Sequence, residues 1–274
     1  VSCSNEEKTK ERKNLNQAAD DIVLNTTNIH LGFDGVKALD GLDISIKAGQ
    51  IVSIIGPNGA GKTCLINCIT GYYRPQQGSI TFQGREILGL KPYQIARLGI
   101  SRTFQDPTTY PSMTALDILM AGRYIHTNAT MVESMLFYGR NRRQELESRD
   151  IVEEIIAFAH IEELRKIPLG TMAYGQRKQV EIARAMVMQP RVIILDEPMS
   201  GLDEVMKEIV TELILNMYDG GMTIILIEHD AQVVMELSHS IIVLDHGRKL
   251  SEGTPLEISQ DDRVAGVYLG IQTS

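Results

Sequence analysis

The stretch Ile51-Val52-Ser53-Ile54-Ile55-Gly56-Pro57-Asn58-Gly59-Ala60-Gly61-Lys62-Thr63 decides the fold. Its first half is almost wholly β-branched, the composition of a strand covered on both faces. Its second half, Gly56 to Thr63, fits the spacing G-x-x-x-x-G-K-[ST] between a strand and a helix expected over 62–70. Glycines at these positions let backbone N–H groups turn inward onto phosphate oxygens, and a helix N-terminus adds its partial positive charge. Lys62 is then expected to reach the β- and γ-phosphates, and the Thr63 hydroxyl to ligate Mg²⁺. The stretch reads as a nucleoside triphosphate site.

Working outward, Asp43-Ile44-Ser45-Ile46-Lys47 alternates like a half-buried strand and Ala48-Gly49-Gln50 turns it. Further β-branched runs stand at Val192–Leu195, Thr223–Ile227 and Ile241–Leu244, with helical patterns between them, for example Glu204–Met217. Strands alternating with helices require crossover connections and a mainly parallel sheet, so the fold class expected is α/β. From about Thr114 to Arg184 the β-branched runs disappear and the chain reads helical, with charged turns at Arg140–Arg149 and a break at Pro168. Residues 1–20 are polar and charged and read as a tail; 21–274 form one nucleotide-binding domain with a helical subdomain inserted at about 106–184.

A phosphate loop needs a carboxylate partner, and Val192-Ile193-Ile194-Leu195-Asp196-Glu197 supplies one at the end of an apolar strand. Ligands bind at that edge of open α/β sheets, where Asp196 can hold a metal through water and Glu197 can orient or activate an attacking water. His229 follows the strand 223–227 and reaches the same kind of edge, where an imidazole can hydrogen-bond a γ-phosphate or that water.

Composition narrows the setting. Lys and Arg number 27 against 35 Asp and Glu, a net charge of −8, which argues against nucleic-acid binding through a basic surface. The cysteines Cys3, Cys64 and Cys68 form neither a disulfide framework nor a four-ligand zinc site, so a reducing compartment is expected. No apolar run approaches the roughly 20 residues that span a bilayer, and Glu6–Lys13 is charged where a secretory signal would be apolar. Work at a membrane is expected to go through another chain. Met113, Met120, Met131 and Met135 read as adaptable packing.

Taken in order, these segments resemble the ATP-binding cassette (ABC) ATPases. Met172-Ala173-Tyr174-Gly175-Gln176 resembles the family signature usually written Leu-Ser-Gly-Gly-Gln, and it precedes the 192–197 strand as in the family. Ser200-Gly201-Leu202-Asp203 resembles the D-loop, His229 the switch histidine, and Gln105, after Ile100-Ser101-Arg102-Thr103-Phe104, the Q-loop glutamine. Phe33 falls where the family carries an aromatic that stacks on adenine. The resemblance covers roughly residues 22–270.

The resemblance implies a P-loop core with a mainly parallel sheet, an inserted helical subdomain and an antiparallel β region. It implies hydrolysis of ATP with Mg²⁺. Gly56, Pro57, Asn58, Gly59, Ala60, Gly61, Lys62, Thr63, Cys64 and Phe33 would bind the nucleotide, while Ala173, Tyr174, Gly175, Gln176 and Asp203 would meet the ATP of a second cassette. Thr63, Gln105 and Asp196 would hold Mg²⁺, and Glu197, His229 and Gln105 would serve catalysis. Integral membrane permease subunits and a solute-binding protein are the further partners implied, on the cytoplasmic side of the cell membrane. Two positions depart from the family pattern: Cys64 replaces a second Thr, and Ala173 replaces the signature Ser. The Ala-Tyr-Gly-Gln version is similar to that of branched-chain amino acid importer ATPases of the LivG type, as are Ser101–Gln105 and the ending Val264–Gly270. Lipopolysaccharide-export ATPases resemble this ending too, and iron–sulfur assembly ATPases share the cassette.

Overall fold

The computed structural model describes residues 22–103, 110–126 and 140–268. The expected tail, Gln105, Met131, Met135 and the last residues of the Val264–Gly270 ending lie outside the described residues. Two compact units emerge, one from the chain up to Ile95 together with the chain from Leu215 onward, the other from Ala96–Ile214.

In the first unit, β1 (Ile22–Phe33) and β2 (Val36–Lys47) form a long antiparallel hairpin. The alternation at 43–47 is the last part of β2; the register slips repeatedly along the hairpin, which hides the period of two in the rest. β4 (Gln77–Phe82) pairs with β1, and the short β5 (Arg85–Glu86) closes the sheet, all antiparallel. A second sheet is built on β3 (Ile51–Ile55), whose five residues are all buried. Parallel to β3 on its two sides run β8 (Thr223–Ile227) and β9 (Ser240–Asp245), partners far away in sequence that crossover segments bring back. β10 (Arg248–Gly253) turns antiparallel onto β9. The helix α1 (Lys62–Ile69) leaves β3, the short helix α2 (Pro92–Leu98) follows β5, and Ile55, Val234, Ile241, Val243, Ile258 and Val264 form one buried cluster.

In the second unit, β6 (Ile100–Arg102) and β7 (Val192–Asp196) are parallel neighbours, with Arg102 opposite Ile194. Helices α3 (Ala115–Arg123), α4 (Arg140–Phe158) and α5 (Tyr174–Met186) occupy the sequence between them. The charged turns expected at Arg140–Arg149 are instead the first half of α4. Arg, Gln and Glu are good helix formers, and Glu145 pairs with Arg149 one turn later at 2.8 Å, so the charges support the helix. Further along the same helix Val152 and Ile156 are fully buried. Arg123 secures the end of α5, its guanidinium donating to the Val187 carbonyl at 2.8 Å and to Gln189 Oε1 at 3.0 Å.

Candidate active site

The phosphate loop leaves β3 in a conformation only glycine accepts. Gly56 has φ +151°, and a Cβ there would stand 2.2 Å from the Leu244 carbonyl oxygen. Gly61, at φ +101°, opens α1 from the left-handed region; its Cβ would meet the Ala38 carbonyl oxygen at 2.7 Å. Lys62 folds back over the loop, donating to the carbonyl oxygens of Gly56 at 2.7 Å and Pro57 at 3.0 Å. Its residue is buried, whereas Asn58, Gly59 and Thr63 face outward, and the first turn of α1 holds no acidic residue. A cation and a row of helix-start N–H groups with no opposing carboxylate fit a polyphosphate.

The same unit contributes two further candidates. Because β8 lies beside β3 in parallel, with Ile227 opposite Ile54, the residues after each strand emerge at one sheet edge. His229 stands there exposed, its backbone N–H donating to the buried Glu228 at 3.3 Å, while Asp230 caps α7 (Ala231–Leu237) by accepting from Gln232 N–H. Phe33, at the end of β1, meets Tyr73 edge to face, ring centroids 5.2 Å apart and planes at 69°. Cys64 is half-buried rather than buried, and Cys68, a turn later, is fully enclosed. Burial pushes both thiols up, Cys68 to about 12 with Cys64 adding to the effect.

In the second unit, Asp196 ends β7 with its carboxylate enclosed and receives the Arg102 guanidinium at 2.7 Å. Its backbone N–H donates to the Thr103 hydroxyl at 3.1 Å. Glu197 follows at φ +50°, a left-handed conformation that costs a residue with a side chain on the order of 1–3 kcal/mol and persists only where neighbours enforce it. One neighbour is Lys178 of α5, whose buried ammonium donates to the Glu197 carbonyl oxygen at 2.9 Å.

The signature residues open α5. Ala173 is its N-cap and offers no side-chain acceptor, yet Gln176 reaches back so that its Oε1 accepts from Ala173 N–H at 3.0 Å. Half of a capping box therefore survives without the hydroxyl. Tyr174 is exposed beside Gly201, and a Cβ on Gly175 would press on Met206 at 2.8 Å. Asp203 caps α6 (Glu204–Asp219), its Oδ1 accepting from Met206 N–H at 2.9 Å.

Arg102 stands in a quoted motif and Lys178 two residues beyond one, but neither carried an assignment, because which carboxylate or carbonyl they meet depends on strand pairing and helix docking. Tyr73 owes its contact with Phe33 to the same long-range geometry. Among the described residues no three His, Cys, Asp or Glu gather as a metal cluster. Oxygen donors such as the Thr63 hydroxyl and the Asp196 carboxylate are hard ligands of the kind Mg²⁺ takes, alongside water and substrate phosphates.

A buried lysine folded over a glycine loop at a helix start is a phosphate cradle, which puts the chain among the P-loop nucleotide-binding proteins. Comparison with known proteins narrows that class. The ABC transporter family pattern matches residues 39–200. The chain is 36% identical over 249 residues to the high-affinity branched-chain amino acid transport ATP-binding protein BraF of Pseudomonas aeruginosa, covering 90% of this chain and 98% of that one. It is likewise 36% identical to LivG of Salmonella typhimurium, with the same coverage. Among solved structures, a nucleotide-free ATP-binding cassette from an ABC transporter superposes with a TM-score of 0.79 at 32% identity, covering 90% of this chain and 99% of that one. The ADP conformation of the cassette MJ1267 gives 0.79 at 30%, covering 91% and 99%. The chain belongs to the ABC transporter family, in which it is an ATP-binding and ATP-hydrolysing cassette. No helix among the described residues is long and apolar enough to cross a membrane.

Proposed function

We propose that this cassette powers an importer of branched-chain amino acids or a similar small polar solute. The observation that carries the reading is 36% identity to BraF across 98% of that protein's length, a match to the whole relative rather than to its nucleotide site alone. A second cassette, integral permease subunits and a solute-binding protein are the partners, and the cassette works at the cytoplasmic side of the membrane. The segment at about 106–184 is read as the inserted helical subdomain.

In this reading Phe33 stacks on the adenine, its ring orientation set by Tyr73. The loop amides of Gly56 to Cys64 and the α1 N-terminus bind the phosphates, and Lys62 exchanges its loop carbonyls for phosphate oxygens. Thr63, Asp196 and Gln105 would hold Mg²⁺, which would neutralise charge on the phosphates when bound. Glu197 accepts the proton of the attacking water, and His229 hydrogen-bonds the γ-phosphate or that water. The signature segment of each chain, Ala173 to Gln176 together with Asp203, meets the ATP of the other, with N–H groups at the start of α5 acting where the family uses a serine hydroxyl.

The test is transport. The permease complex containing this chain, reconstituted in vesicles, is expected to accumulate leucine, isoleucine or valine only with ATP and the solute-binding protein present, and to stop with Lys62→Ala. ATP hydrolysis that never drives uptake of any of the three would overturn the branched-chain amino acid assignment while leaving the ATPase intact.

A further inference from the structure

Glu197 combines two backbone features that bear on where its carboxylate points. It is a non-glycine residue at φ +50°, and it precedes Pro198, whose ring disfavours helical conformations at that position. Such a backbone holds only when several contacts agree on it. Two converge on its carbonyl oxygen: the Ser200 N–H at 3.4 Å, long and local, and the Lys178 ammonium at 2.9 Å, short and from another element. The charged donor makes the stronger bond of the two.

Lys178 is itself unusually placed for a lysine. The residue is 5% exposed, and its ammonium lies 5.7 Å from the centre of the Tyr174 ring, one turn earlier on α5. The ring face attracts the cation, and the low exposure of Lys178 strengthens its bond to the carbonyl. Tyr174 continues the link, since its Cε1 lies 3.3 Å from where a Cβ would stand on Gly201. One buried side chain thus joins the helix opened by the signature segment to the turn that bears Glu197.

We propose that Lys178 is a positioning residue for hydrolysis: its ammonium, seated under the Tyr174 ring, holds the Glu197 carbonyl and so fixes the direction of the Glu197 carboxylate. It acts through Glu197. The proposal rests on the reading of Glu197 as the base.

The full-length chain carrying Lys178→Met, which keeps the stem and removes the donor, tests it. The expected result is a fall in kcat of about 10- to 100-fold, the scale of a misplaced catalytic group, with KM and equilibrium ATP affinity within about twofold of wild type. Lys178→Arg, which restores a charged donor, is expected to recover most of the loss. In a Glu197→Gln background Lys178→Met should cost nothing more, because there is no longer a base to aim. Should Lys178→Met not fold, Lys178→Gln takes its place with the same expectations. An unchanged kcat, a loss confined to ATP affinity, or a full multiplicative loss in the Glu197→Gln background overturns the proposal. If Glu197→Gln itself hydrolyses at the wild-type rate, the reading of the base fails instead.

Discussion

Arg102 donates to Asp196 at 2.7 Å in a pair whose aspartate side chain is 1% exposed and whose arginine is 11% exposed. Removing one member of a buried pair leaves the other charge unpaired, which costs about 3–5 kcal/mol. Arg102→Met should therefore destabilise the chain by about that amount in urea unfolding. Adding Asp196→Asn to it should restore part of the stability, since no buried charge is then left alone. A single variant as stable as wild type would show that the pair contributes nothing to the fold.

Phe33→Ala should weaken ATP binding by about 1–2 kcal/mol, roughly tenfold, while turnover at saturating ATP stays near wild type, because stacking on the base is equal in ground and transition states. Tyr73→Ala should weaken binding less, since it removes only the ring that orients Phe33. Calorimetric titration of both variants checks this; a larger loss from Tyr73 than from Phe33 would reverse their roles.

How far the sequence carried the site divides along one physical line. The phosphate loop was legible because its function lies in local backbone geometry, which Gly56, Gly61 and Lys62 write into seven neighbouring positions. The strands β3, β7 and β8 were legible because burial on both faces forces unbroken β-branched runs. Much of the β1–β2 hairpin was not, since its slips in register blur the alternation. The first half of α4 was misread because its charged face resembles a solvated turn until the Glu145–Arg149 spacing is weighed. Arg102 on Asp196 and Lys178 on Glu197 are contacts across 94 and 19 positions, and local pattern cannot choose such partners.

The thiols differ in reactivity by burial. With its thiol pushed to about 12, Cys68 should resist maleimide in the folded chain at neutral pH, while half-buried Cys64 reacts slowly. Cys64 stands in the first turn of α1, next to the phosphate loop, so bound nucleotide should slow it further. Peptide mass spectrometry reads both sites, and equal labelling of Cys68 and Cys64 would contradict the burial.

Asp40 accepts from Arg248 and Lys37, and these partners hold its carboxyl at about 2, below the ordinary 3.8. A carboxyl depressed by folding adds stability that is complete above its unfolded value and disappears as pH falls through the folded one. Wild type should thus be more stable than Asp40→Asn near neutrality, and the two unfolding curves should converge between about pH 4 and pH 2. A gap that does not change with pH would mean that the ion pairs are not its source.

The central proposal is that Glu197 is the base that accepts the attacking water's proton when this cassette hydrolyses ATP. The most direct measurement is single-turnover hydrolysis by Glu197→Gln at saturating Mg-ATP, with ATP affinity determined on the same sample. Gln keeps the size and shape of Glu but cannot accept a proton. The account predicts unchanged affinity and a rate reduced at least about a hundredfold, the usual scale for loss of a general base. Hydrolysis at the wild-type rate with affinity intact would contradict it.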